Sequence, residues 1–161
     1  MGETAHISNR RAFLTGRSGG NTAHVRLPWL ATHRFEDDCT RCGACLTACP
    51  EKIIAPSGGG FPSIDFSRGE CTFCGACADV CPENLFDGGR GRPWNFRALI
   101  SDDCLAKRHV MCRSCEDACP HRAIAFRPAP GRPPSPEINI DHCTGCGACV
   151  SVCPENAIAI K

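Results

Sequence analysis

Sixteen cysteines in 161 residues fall into four runs, each ending in Cys-Pro. They are Cys39, Cys42, Cys45, Cys49; Cys71, Cys74, Cys77, Cys81; Cys104, Cys112, Cys115, Cys119; and Cys143, Cys146, Cys149, Cys153. Three runs have the spacing C-x2-C-x2-C-x3-C-P, which wraps three thiolates around one corner of a [4Fe–4S] cubane. The third differs only in its longer first gap, Leu105 to Met111. At four thiolates per cubane, sixteen cysteines supply four clusters with none left over.

Two other uses of cysteine fit less well. Cysteine-dense short chains are often disulfide scaffolds of secreted proteins. Here no secretory signal is recognisable, and cysteines three apart on one loop are poorly placed to pair with each other. Zinc sites use C-x2-C pairs, but the two pairs are separated by a long loop. A third cysteine after two more residues, then a fourth with proline, suits a cubane rather than one ion.

The spacing carries its own chemistry. Gly43-Ala44, Gly75-Ala76 and Gly147-Ala148 fill the second gaps with small residues, so backbone N–H groups reach the cluster sulfurs. Arg113-Ser114 makes the third loop bulkier. A short helix is expected from each third cysteine onward, and the proline after each fourth cysteine stops it. In two-cluster ferredoxins the fourth cysteine ligates the other cluster. By that rule Cys39, Cys42 and Cys45 take Cys81, and Cys71, Cys74 and Cys77 take Cys49. Cys104, Cys112 and Cys115 then take Cys153, and Cys143, Cys146 and Cys149 take Cys119. A nested pairing, run one with run four and run two with run three, is the alternative that spacing leaves open.

The elements that position these loops are short apolar stretches: Ile53 to Ala55, Ser63 to Phe66, Ala98 to Ile100, Ala123 to Phe126, Ile138 to Ile140 and Ala157 to Ile160. They read as strands joined by turns at Ser57 to Gly60 and Pro128 to Pro136. First cysteines recur after 32, 33 and 39 residues, a supersecondary period. The expected fold is α+β: two tandem ferredoxin-like 2[4Fe–4S] modules of short helices and short antiparallel strands. The modules are expected over 35–88 and 89–161, behind a basic, flexible N-terminal extension over 1–34. Aliphatic content is modest, so metal binding is expected to supply folding energy directly.

Formal charge is +1 overall. Residues 1–34 hold five arginines against Glu3, a net +4, which leaves the remainder at −3. A basic arm ahead of an acidic body suits docking to a partner or folding back on its own surface, and a disordered solvated tail is the alternative. No basic stripe interleaved with aromatics continues into the body, so nucleic acid is not an expected partner. Ser8-Asn9-Arg10-Arg11-Ala12-Phe13-Leu14 has the look of a twin-arginine export signal, but the following Thr15 to Asn21 is polar where such signals are apolar. No stretch is long and apolar enough to span a membrane. With reduced thiols, this points to the cytoplasm. Lys107, Arg108 and His109 in the stretched loop read either as a partner contact or as a tolerated surface loop. His121 and His142 are not needed as ligands, and Trp29 and Trp94 are expected to pack. No nucleophile–base constellation or nucleotide loop is present, so no catalytic residue is expected.

Asn9 to Arg17, Leu27-Pro28-Trp29 and the stretched run Cys104-x7-Cys112-x2-Cys115-x3-Cys119, together with the other three runs, resemble the ferredoxin-type proteins of periplasmic nitrate reductase systems, the NapF family. The resemblance covers nearly the whole chain. It implies a cytoplasmic protein that binds the catalytic molybdenum subunit before export. It also implies a role in that subunit's maturation, by electron transfer or by iron–sulfur assembly, and no enzymatic activity. A permanent electron-transfer subunit of a multisubunit oxidoreductase is the alternative reading.

Overall fold

The computed structural model describes residues 25–31 and 35–161. Two copies of one pattern follow each other. In each, an outer antiparallel pair closes the ends, an inner hairpin sits between, and two cysteine loops with their helices connect them.

In the second copy the outer pair is β3, Ala98–Ile100, against β6, Ile158–Ile160, registered Ala98↔Ile160 and Ile100↔Ile158. The inner hairpin is β4, Ile124–Ala129, with β5, Arg132–Ile138. In the first copy the inner hairpin is β1, Ile54–Pro56, with β2, Pro62–Ile64. Its outer pair shrinks to a single antiparallel bridge between Leu30 and Phe86. Val25 bridges to Ile64, and both Val25 and Leu27 are buried, so this described part of the expected flexible extension packs on the first copy. Asn9 to Arg17 lies outside the described residues. The two dicluster-type copies with short helices and antiparallel strands are the α+β fold expected from the spacing.

The strands hold because their apolar residues alternate inward. Ile158 and Ile160 are buried on either side of the half-buried Ala159, the period of two that one-sided packing demands. Ile53, at 1% exposure the most enclosed large side chain, sits beneath the first hairpin with Ile54, Ile64 and Phe66.

The segment from Pro128 to Pro136 corrects the expectation of a turn. It is the far end of a long hairpin, with a shift of register between Arg127 and Ala129. Its five prolines are tolerated because a two-stranded ribbon has two free edges, where a missing N–H leaves no ladder partner unpaired. The turn is confined to Pro130 and Gly131.

Each helix is a single turn: α1, Phe35–Asp38; α2, Ala44–Ala48; α3, Ala76–Asp79; α4, Ser114–Asp117; and α5, Ala148–Ser151. The last four start one residue before the third cysteine of each run, as expected from the loop chemistry. The second residue beyond each Cys-Pro, Lys52, Asn84, Arg122 or Asn156, adopts a left-handed conformation with φ between 48° and 54°. The chain thereby turns back into the next strand, and the four-fold repeat is most regular at this point.

The two copies meet along runs two and four. The Trp94 indole donates from Nε1 to the Thr144 carbonyl at 2.8 Å, and its ring lies edge-on to Phe73 and Phe66. Trp29 donates to the Gly91 carbonyl at 2.9 Å. Both tryptophans therefore pack. Trp94→Phe leaves the Thr144 carbonyl without its donor, which is expected to lower holoprotein stability by about 1–3 kcal/mol. Anaerobic denaturant melts check this, and an unchanged midpoint would contradict the role given to the indole.

Candidate metal centres

The second gap of each run fixes how its loop enters the helix. Gly43, Gly75 and Gly147 cap α2, α3 and α5 with φ of 78°, 82° and 85°. The third run has Arg113 at φ −136° instead, so this loop approaches α4 by another path. The extra residues of its first gap form a compact turn, closed by Arg108 N–H to the Cys104 carbonyl at 3.0 Å and Val110 N–H to the Leu105 carbonyl at 2.8 Å. Lys107 donates to the Ile100 carbonyl at 2.9 Å and pairs with Asp102, while Arg108 pairs with Glu155 at 3.6 Å. These two cations are engaged within the chain. Val110 and Met111 are the exposed large hydrophobic side chains of the loop.

The sixteen thiols gather around four hollows. The first, about 640 Å³, is lined by Cys39, Cys42, Cys45 and Cys81. The second, about 360 Å³, is lined by Cys49, Cys71, Cys74 and Cys77. Cys119, Cys143, Cys146 and Cys149 line a third of about 310 Å³. Cys104, Cys112, Cys115 and Cys153 line a fourth of about 330 Å³. Three thiols come from one run and the fourth from its neighbour in sequence, so the structure groups adjacent runs and not nested ones. His121 borders the third hollow beside its four thiols, and His142 lines none of the four.

The donor set fits an iron–sulfur cubane. Among the described residues no three His, Cys, Asp or Glu side chains converge closely enough to hold a single ion. Each hollow is ringed by four thiols, the number of protein ligands that one [4Fe–4S] cubane takes. Backbone N–H groups point at three of the sulfurs: Ala98 N to Cys143 Sγ at 3.5 Å, Ala123 N to Cys119 Sγ at 3.3 Å and Ala157 N to Cys153 Sγ at 3.3 Å. Such donors favour extra negative charge on the sulfur and raise a cluster's potential. Burial pushes the Cys146 thiol up, and the Ala148 N–H and the neighbouring Thr144 hydroxyl only partly offset it.

Without metal, burial pushes the enclosed thiols up. Cys45, Cys71 and Cys115 rise to about 11, and Cys77 and Cys149 to about 12, from an ordinary 9.0. Desolvation is the main cause; neighbouring thiolates add to it, and for Cys71 these are Cys49, Cys74 and Cys146. Iron needs thiolates, so loading must expel these protons. The metal-loaded form loses metal as protons compete for the thiolates on acidification. Anaerobic reconstitution at about pH 8 is expected to release protons. Holoprotein held with a fixed chelator is expected to bleach faster at about pH 6 than at about pH 8. A pH-independent rate would contradict this.

Comparison with known proteins agrees with the geometry. A 4Fe-4S dicluster domain family matches twice, over residues 38–85 and 110–157. The chain is 43% identical over 155 residues to the ferredoxin-type protein NapF of Escherichia coli strain K12, covering 96% of this chain and 94% of that protein. It is 42% identical over 163 residues to the NapF of Haemophilus influenzae, covering 94% and 93%. A shorter likeness, 38% over 52 residues, links 32% of this chain to 18% of one component of the ion-translocating oxidoreductase complex of Methanosarcina acetivorans. Full-length identity at this level, with the dicluster pattern twice in one chain, makes this an iron–sulfur protein of the NapF family of ferredoxin-type proteins.

Proposed function

We propose that this chain carries four [4Fe–4S] clusters, held by the sixteen cysteines in the four groups that line the hollows. We further propose that it serves in the cytoplasm as an accessory protein of periplasmic nitrate reductase, binding the precursor of the catalytic molybdenum subunit and assisting its maturation. The observation that carries the reading is the near full-length likeness to NapF proteins, joined to four rings of four thiols.

When bound, the clusters supply one-electron transfer. The chain's part is to bind, orient and shield. Gly43, Gly75 and Gly147 turn the loops, and the N–H groups of Ala98, Ala123 and Ala157 bond the sulfurs. Cys143, Cys146 and Cys149 are buried in the body of the second copy. The likeness to ferredoxin-type iron–sulfur proteins supports an electron carrier or maturation factor. Among the described residues no helix is long and apolar enough to cross a membrane.

The test is anaerobic pull-down with the tagged holoprotein against precursor and mature catalytic subunit. The expected result is capture of the precursor and little of the mature form. Capture of neither would overturn the partner assignment and leave the cluster assignment standing. Permanent co-purification in a fixed ratio would favour an electron-transfer subunit, the role to which the short likeness to the ion-translocating complex points.

A further inference from the structure

The two copies of the fold do not sit back to back at random. The Cys71 backbone N–H donates to the Cys146 carbonyl at 2.8 Å, a direct bond between a thiol-bearing residue of run two and one of run four. Phe66, shortly after β2, lies against Gly147, where an added Cβ would come within 2.0 Å of its ring. Phe73, inside the run-two loop, meets Trp94 with ring centroids 5.3 Å apart, and Trp94 is bonded to Thr144 inside the run-four loop. Three independent contacts thus hold the run-two and run-four loops together. Within each copy the neighbouring sites are already side by side, because Cys49 and Cys81 are exchanged between the first two hollows, Cys119 and Cys153 between the other two, and α2 packs on α3 as α4 packs on α5. No described contact of this kind links run one to run three or to run four.

From this we infer that the join through Cys71, Phe66, Trp94, Cys146 and Gly147 sets the four sites in one line, run one, run two, run four, run three, in place of two separate pairs. The order in space differs from the order in sequence: the last run is interior and the third is terminal. A single line gives an electron, taken from an external one-electron donor, a route between the run-one end and the run-three end. Two separate pairs would strand it in one module. The inference rests on the iron–sulfur reading above.

The test uses the full-length chain loaded anaerobically. Replacing Cys42 and Cys45, and also Cys112 and Cys115, by serine empties the two terminal sites and leaves the interior two. Iron and sulfide content is expected to fall by half. After reduction with a viologen dye, the electron paramagnetic resonance spectrum is expected to be broadened by spin–spin interaction between the two remaining centres. Two sharp, non-interacting signals would overturn the join. A four-site protein carrying a milder change supplies a second arm. Gly147→Ala is expected to weaken the interaction across the join, while Gly43→Ala, whose added Cβ meets nothing within 4 Å, leaves it unchanged. Equal spectra from the two would likewise overturn it. Protein that binds no iron in the unsubstituted form would defeat the cofactor reading itself, an outcome told apart by the metal analysis.

Discussion

Stripping iron from the holoprotein with a chelator is expected to unfold it. Every described helix is one turn long, four or five residues, far below the roughly 12–15 residues an isolated helix needs in water. Every described sheet is two-stranded, and such hairpins are marginal alone. The buried cluster that joins these pieces counts Cys77, Cys115, Cys143 and Cys149 among its members, with Cys45, Cys49, Cys71, Cys104, Cys119 and Cys153 packed against it. Iron and sulfide therefore stand where a larger domain would have aliphatic side chains. A structural metal site contributes on the order of 10 kcal/mol in small metal-dependent folds. The whole stability of a domain is about 5–15 kcal/mol. Loss of all four clusters together is then enough to cross the threshold. Circular dichroism and amide dispersion by NMR, measured after anaerobic chelation, should both collapse. Native-like dispersion in iron-free protein would show that the apolar core suffices.

The second large effect is expected from one added methyl group. Gly43 and Gly147 occupy the same place in their runs and the same left-handed conformation, with φ of 78° and 85°. An alanine at either position costs about 1–2 kcal/mol for that conformation. At Gly43 the cost ends there, because nothing lies within 4 Å of the new Cβ. At Gly147 the new atom would lie 2.0 Å from Cδ1 and 2.4 Å from Cε1 of Phe66. Either the ring or the cluster loop must move, and overpacking of a filled core adds about 1–3 kcal/mol or more. Gly147→Ala is therefore expected to be the more destabilising by at least about 1–3 kcal/mol in anaerobic melts. Phe66→Leu in the Gly147→Ala background is expected to recover part of the difference. Equal losses at the two glycines would mean that Phe66 yields freely.

The contrast between these glycines marks where sequence stops being informative. Gly43-Ala44, Gly75-Ala76 and Gly147-Ala148 are the same dipeptide in the same motif. Nothing local distinguishes the one that receives Phe66, because the contact comes from a residue more than seventy positions away in the chain. The sixteen cysteines were legible at once, since a cubane demands a fixed spacing. The grouping of Cys81 with run one and Cys49 with run two followed from the ferredoxin rule, yet only tertiary structure separates it from nesting. Ile158 and Ile160 announced a strand by alternation. Pro128 to Pro136 concealed one, because proline signals a turn unless both strand edges are free. The left-handed turn after each Cys-Pro was legible in Asn84 and Asn156, which favour that region, and hidden at Lys52 and Arg122, which do not.

Four cubanes on one chain is the claim from which the rest follows, and composition tests it most directly. Anaerobically purified protein should be brown and contain about sixteen iron and sixteen acid-labile sulfide per chain. Folded protein that is colourless, low in iron and sulfide, or loaded with zinc would contradict it.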